Sequence, residues 1–231
     1  TSSEKRLRGI RLSISFRYWA FRSIKVQAEI VEAELMHSNI FLAAEGGDRR
    51  CAKILDFGLV GMCASAAGFP ELEGERVFNS ACLVGPRGAA GLYRKTHLSP
   101  PEKERYGEGD SLNVFHEGGL HFGVELCYES HFPEVSTVLC LKGAEILFMP
   151  HASPRGKPEE KMKSWLRHLP GRAFDNGVFV VACNQVGKTR EGLVFPGVIL
   201  ALDPQGRILG SHTGNEETMV FVELKAEVLQ E

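Results

Sequence analysis

The chain has 231 residues, with 27 Lys and Arg against 29 Asp and Glu, a formal net charge of −2, and 43% hydrophobic residues. No basic excess is present to neutralise a phosphate backbone, which excludes a general nucleic-acid binder. No run reaches the ~18–20 apolar residues of a membrane helix, and a chain of this length buries a large core, so residues 1–231 read as a single domain.

The first element is a strand, Ile10 to Ser15, in alternating IRLSIS. Trp19 to Met36 carries Phe21, Ile24, Ala28, Val31 and Leu35 at helical spacing. A short apolar run, Ile40 to Ala44, ends at Glu45. Arg49 to Phe57 predicts a helix closed by Gly58, and Leu59 to Phe69 a buried strand. Arg76 to Val84 and Ala89 to Arg94 form a hairpin around Gly85-Pro86-Arg87-Gly88. Ser99 to Asp110 is a Pro- and Glu-rich loop. Leu120 to Leu126 is a strand, Pro133 to Lys142 a helix, and Glu145 to Met149 a strand. Pro158 opens a helix carrying Met162, Trp165, Leu166 and Leu169. Val178 to Cys183, Val194 to Leu202, Arg207 to Leu209 and Met219 to Leu224 are strands. Strands and helices alternate, which defines an α/β class.

Six cysteines are scattered without a CxxC pair. The N-terminal TSSEKRLRGIRL is charged and lacks the apolar stretch of a secretory signal. The expectation is a cytoplasmic protein with free cysteines, most of them small buried hydrophobes. Cys and His residues lack metal-ligand spacing, and no HExxH is present, so no metal is expected. Gly187-Lys188-Thr189 invites a phosphate-loop reading, but Ala182 stands where the motif needs its first glycine and no helix pattern follows.

Three apolar runs end in a reactive or charged residue: IFLAA at Glu45, GLYR at Lys95 and LHFGVEL at Cys127. In α/β sheets, residues just past strand ends converge on one crevice. A cysteine there, beside a cation and a carboxylate, is a candidate nucleophile: the lysine favours the thiolate and the carboxylate accepts its proton. Glu129, two residues beyond Cys127, points to the same side if the strand continues.

The chain also resembles the nitrilase superfamily of carbon–nitrogen hydrolases. The matching stretches are RVFNSACLVGPRG, GLYRKTHL, GVELCYESHFPE, KGAEILFMPHAS, RAFDNGVFVVACNQVG and FPGVILALDPQGRILG, in the family's order. The resemblance implies a four-layer α-β-β-α sandwich of two mixed sheets with helices on both outer faces. It implies catalysis by Glu45, Lys95 and Cys127, with Glu102 as a second glutamate and Glu104 its rival. Ala43-Ala44 stands where the family has Phe-Pro, and the stretch between Glu45 and Gly68 is shorter than the family's. Tyr128, Glu129, His151 and Asn184 are candidate substrate contacts, with a Cys127–His151 dyad as a rival arrangement.

The implied reaction is hydrolysis of a small amide or N-carbamoyl compound through a thioester acyl-enzyme, without a cofactor. A nitrilase is the alternative within enzymes. A catalytically silent binding or assembly module is the alternative of another class, supported by the short stretch after Glu45. The partners implied are a small-molecule amide or nitrile and a second copy in a homodimer, with no nucleic acid and no membrane.

Overall fold

The computed structural model describes residues 10–16, 53–59, 62–63, 65–85, 88–117, 120–189, 192–225 and 228–229. The helix expected over Trp19 to Met36, and Glu45 itself, lie outside the described residues.

In chain order the strands before the first helix are β1 (Ile10–Phe16), β2 (Lys53–Leu59), β3 (Met62–Cys63), β4 (Ser65–Glu73), β5 (Arg76–Gly85) and β6 (Gly88–Arg94). Helix α1 (Pro100–Lys103), β7 (Val114–Glu117), β8 (Leu120–Val124), a 3-10 helix over Cys127–His131 and α2 (Pro133–Leu141) follow. Next come β9 (Ile146–His151), α3 (Pro158–Trp165), α4 (Leu169–Asn176) and β10 (Phe179–Asn184). The chain closes with β11 (Gly187–Lys188), β12 (Val194–Phe195), β13 (Gly197–Leu202), β14 (Ile208–Gly214) and β15 (Thr218–Leu224).

Two large sheets form. One has the order β15-β1-β2-β4-β5-β6 with β3 paired to β2, and the other β14-β13-β10-β9-β8-β7. The second sheet is mixed, as expected: β8, β9 and β10 run parallel and its other pairs antiparallel. Every strand pairing described in the first sheet is antiparallel. Where the connection is short this follows from the chain path, because only antiparallel neighbours can be joined by a two-residue turn. Between β4 and β5 that turn is Gly74-Glu75, with Gly74 at φ +59°, where a side chain is strained.

The second sheet sits between two cores, and its alternation shows why. Phe179, Val181 and Cys183 of β10 join one buried cluster with Ile146, Phe148, Ile199 and Ala201, which also takes Ala81, Leu83 and Tyr93 from the first sheet. Val180 and Ala182 join another with Leu147, Met149, Val198 and Leu200, covered by Val135 and Leu139 of α2, Trp165 of α3, and Leu169 and Ala173 of α4. A strand buried on both faces has no polar side to show, so its sequence is a continuous apolar run. The result is a sheet-on-sheet sandwich with a helical layer outside the second sheet.

Three local readings are corrected. The stretch 53–59, expected in a helix, is a strand paired with both β1 and β4. Ile54, Leu55, Phe57 and Leu59 satisfy either period, and hydrogen-bonding partners on both sides decide for the strand. The loop Ser99 to Asp110 contains α1, with prolines at its first turn. The helix from Pro158 breaks after Trp165 and restarts at Leu169, and Trp165 packs on the sheet. Gly187-Lys188 pairs with Val194-Phe195 in a small hairpin and opens no helix. Among the described residues no helix is long and apolar enough to cross a membrane.

Candidate active site

Strands β8, β9 and β10 are parallel neighbours, so their C-terminal ends lie together. Those ends carry Cys127, His151 and Asn184. Lys95 arrives from the other sheet, directly after β6. Alternation along β6 turns Tyr93 and Lys95 inward, each 1% exposed, and Arg94 outward. Arg94 is held outside by Glu71 and Glu73 of β4 and by the Phe78 ring, 4.4 Å from its guanidinium carbon. The Lys95 backbone is fixed at both ends: its N–H donates to the Asn79 carbonyl at 2.8 Å, and the Gly109 N–H donates to its carbonyl at 2.8 Å. Gly109 is a required glycine, since a Cβ there would collide with the Arg94 carbonyl oxygen.

The Lys95 ammonium donates to both oxygens of Glu102, at 2.9 and 2.7 Å. Glu102 is held in turn by the Asn79 amide at 2.7 Å and by the N–H and hydroxyl of Ser99 at 2.7 and 2.6 Å. It sits at the third position of α1, where a glutamate reaches back to the cap residue. Burial alone would raise its pKa; the Lys95 charge and these donors outweigh it and hold the carboxyl below its ordinary range. Glu104, the rival by sequence, is exposed at the end of α1.

Cys127 follows the end of β8 at φ +52°, the only non-glycine with positive φ among the described residues. Such strain in a side-chain-bearing residue collects at functional sites. The chain turns there into the 3-10 helix, and the Ser130 hydroxyl ties that turn by donating to the Cys127 carbonyl at 2.8 Å. Cys127 and Lys95 face one cavity of about 1070 Å³, with Glu102, Tyr128, His131, His151, Arg155 and Lys161 among its walls.

The four candidate substrate contacts separate into two pairs. Tyr128 and His151 line the cavity. Both ring nitrogens of His151 are engaged, Nδ1 with the Met149 carbonyl at 2.9 Å and Nε2 with the Ser130 hydroxyl at 3.3 Å. Burial lowers its pKa to about 3, so the ring is neutral and unsuited to the base of a cysteine–histidine dyad. Glu129 and Asn184 do not line the cavity. Glu129 is fully buried and accepts from the Tyr93 hydroxyl at 2.6 Å, the Thr96 N–H and hydroxyl at 2.8 and 2.7 Å, the His97 N–H at 3.2 Å and the Leu126 N–H at 2.7 Å. It binds the lysine loop to the cysteine loop. The Asn184 amide donates to the Ser153, Gln185 and Pro196 carbonyls and accepts from the Ser153 N–H, bracing the loops beyond β9 and β12.

Two wall residues escaped the sequence reading. Asn79, the polar position of RVFNSAC, faces the cavity and holds Glu102. Lys161 is only 9% exposed. Its signal is helical spacing, three residues after Pro158 and four before Trp165, the other two buried residues of α3. Among the described residues, no group of three or more His, Cys, Asp or Glu is placed to hold a metal ion. Of the cysteines, Cys82, Cys127 and Cys140 are free thiols.

A two-sheet sandwich that carries a lysine–glutamate pair and a cysteine into one cavity belongs to the nitrilase-type α/β class. The chain is a member of the carbon–nitrogen hydrolase family, whose profile matches residues 61–231. It is 36% identical over 169 residues to an (R)-stereoselective amidase of Pseudomonas sp, an alignment covering 72% of this chain and 59% of the relative. It is likewise 36% identical over 165 residues to a nitrilase of Pyrococcus abyssi (strain GE5 / Orsay), covering 68% and 58%. A mutant of the amidase from Nesterenkonia sp. AN1 matches with a TM-score of 0.62 at 28% identity, over 73% of this chain and 64% of that one. That structure shows covalent addition of the acetamide moiety of fluoroacetamide at its active-site cysteine. The chain spans under two thirds of the length of these relatives.

Proposed function

We propose that the protein hydrolyses the carbon–nitrogen bond of small non-peptide amides or N-carbamoyl compounds with Cys127 as nucleophile. The observation that carries this reading is the strained Cys127 at a strand end, facing the same cavity as the Lys95–Glu102 pair. The covalent adduct at the active-site cysteine of the Nesterenkonia amidase supports the same assignment.

In this mechanism the Cys127 sulfur attacks the carbonyl carbon, and Glu45 takes the thiol proton and delivers one to the departing amine or ammonia. The carbonyl π electrons move onto oxygen, and the Lys95 ammonium, with the backbone N–H of Tyr128, stabilises the oxyanion. Collapse breaks the C–N bond and leaves a thioester. Water, deprotonated by Glu45, cleaves it to the acid and restores the thiol. Glu102 keeps the ammonium charged and aimed, which spares the site reorganisation as charge develops. A nitrile is attacked at carbon by the same sulfur, and the Pyrococcus relative named a nitrilase keeps that substrate as the second reading. The complete Lys95–Glu102 pair beside Cys127 argues against a catalytically silent module.

Cys127→Ala tests the proposal on a panel of small amides and nitriles read by ammonia release. Turnover is expected to fall on the order of 10³-fold or more while the far-UV spectrum and melting temperature stay near wild type. Wild-type turnover in the variant overturns the assignment, and the preferred panel member separates amidase from nitrilase.

A further inference from the structure

We infer that Ser130 is a positioning residue: its buried hydroxyl holds the Cys127 carbonyl and thereby aims the Tyr128 N–H at the oxygen of the reacting carbonyl. The inference rests on the hydrolase reading of Cys127 and adds the group that sets its oxyanion donor.

The Cys127 carbonyl and the Tyr128 N–H belong to one peptide unit. Among the described residues no peptide bond is cis, so this unit is a planar trans peptide whose two polar groups point in opposite directions. Whatever fixes the carbonyl therefore fixes the N–H. The Ser130 hydroxyl donates to that carbonyl at 2.8 Å. Ser130 is fully buried and takes no part in the cavity wall, whereas Cys127 and Tyr128 both line it. The hydroxyl thus grips the peptide from its carbonyl side, and the N–H is turned away from Ser130. The backbone needs such a grip. Cys127 sits at φ +52°, and a strained residue keeps its conformation only where the surroundings over-determine it. Glu129 accepts the Leu126 N–H at 2.7 Å and fixes the chain before the cysteine, as Ser130 fixes it after.

Ser130 is itself held. The Arg172 guanidinium donates from Nε to its carbonyl at 3.3 Å and ties it to α4. Its hydroxyl has a second neighbour, His151 Nε2, at 3.3 Å. His151 Nδ1 lies 2.9 Å from the Met149 carbonyl, which only accepts. Nδ1 therefore carries the ring proton, and Nε2 of the neutral ring keeps a lone pair. One hydroxyl proton thus meets two acceptors, and the shorter contact, to the Cys127 carbonyl, holds it. A donor aimed in this way before the substrate arrives needs no reorganisation when charge develops on the substrate oxygen.

The test separates the direction of the N–H from the state of the thiol. Ser130→Ala removes the grip, and Ser130→Thr keeps a hydroxyl. Two rates are measured on wild type and both variants. One is kcat/KM for the preferred amide of the panel, a reaction that builds an oxyanion. The other is methylthiolation of Cys127 by methyl methanethiosulfonate, followed by peptide mass, in which the thiol attacks sulfur and no carbonyl oxyanion forms. For Ser130→Ala the expected result is a kcat/KM lower by about tenfold or more, carried by kcat, with methylthiolation at the wild-type rate. Ser130→Thr is expected to recover part of kcat. An unchanged kcat/KM in Ser130→Ala overturns the inference, and so does an equal fall in both rates, which assigns Ser130 to the thiol or to the fold. A second measurement needs no turnover. Butyraldehyde adds to Cys127: the sulfur bonds to the aldehyde carbon, the π electrons move onto oxygen, and the thiol proton ends there, giving a thiohemiacetal with its oxygen at the oxyanion position. Protection of Cys127 from methylthiolation reads this adduct. Ser130→Ala is expected to need about tenfold more butyraldehyde than wild type for equal protection. Equal concentrations, or no protection of wild type, overturn the inference. If wild type hydrolyses no amide or nitrile, the hydrolase reading fails, and the aldehyde comparison still decides whether Ser130 aims the donor.

Discussion

Lys95 and Lys161 face one cavity from two walls, and the fold treats them in opposite ways. Lys95 comes off a β-strand into a finished set of partners: both oxygens of Glu102, which Ser99 and Asn79 then hold in place. Lys161 comes off a helix into a wall with no carboxylate for it among the described residues and with Arg155 as a like-charged neighbour. Burial is similar, at 1% and 9% exposed, so burial alone does not tell what a lysine is for. The partners do. A cation whose hydrogen bonds are complete is a fixed part of the machinery, preorganised for charge that appears during reaction.

The largest expected effect breaks the first wall. Lys95→Gln removes the ammonium but keeps a donor of similar length. It should lower kcat/KM by about 10²- to 10³-fold, the cost of losing an oxyanion donor. The loss should fall equally on charged and uncharged amides, because the developing oxyanion is common to both. Steady-state kinetics on glutaramate and glutaramide checks this, and a Lys95→Gln enzyme that discriminates between the two differently from wild type would place Lys95 at the substrate's far end rather than at its carbonyl.

The next effect acts on what holds the first wall to the Cys127 turn. Glu129 receives five hydrogen bonds, from Tyr93, Thr96, His97 and Leu126. In Glu129→Gln one acceptor oxygen becomes a donor that faces other donors. Destabilisation by about 2–3 kcal/mol is expected, the cost of leaving buried hydrogen-bonding groups unmatched. Urea unfolding at constant m-value measures it, and an unchanged midpoint would show that the two loops are held together by something else.

How much of this was legible in the sequence follows from which physics is local. Cys127 and Lys95 were readable because an apolar run ending in a reactive residue is a local pattern, and parallel strands carry such ends to one place. The inner strands of the second sheet were readable for the same reason. Glu129 was expected to face the cavity because period-two alternation was carried past Leu126. The chain leaves the strand there, and at φ +52° Cys127 starts a 3-10 helix that turns Glu129 inward. The strand over 53–59 was read as a helix because its apolar spacing fits both periods, and one of its two partners, β1, lies far off in the sequence. Lys161 lay hidden in PEEKMK, where charge density suggests a solvated face and only the register of Pro158 and Trp165 says otherwise.

The contrast between complete and incomplete partner sets recurs behind Cys127 and yields the smallest effect. Glu125 and Glu129 lie on either side of the cysteine and both are fully buried. Glu129 has five donors; Glu125 has the Ser136 hydroxyl on one oxygen at 2.7 Å, and its other oxygen has no hydrogen-bond partner among the described residues. Burial raises the Glu125 pKa from 4.5 to about 8, with the Ser136 hydrogen bond and the Arg172 charge opposing and the Glu129 charge assisting. The folded protein thus keeps this carboxyl protonated across a range in which the unfolded chain ionises it. Stability must then fall as pH rises from about 4.5 to about 8, and level off above. Glu125→Gln keeps the shape and an acceptor for Ser136 and cannot ionise. Relative to wild type the variant should gain on the order of 1–2 kcal/mol between pH 5 and pH 8, because relaxation around a buried carboxyl takes back part of the full linkage. Melting curves of both proteins across that range read the gain directly. Parallel curves would mean that Glu125 does not titrate there, and that the number of donors around a buried glutamate is not what separates it from Glu129.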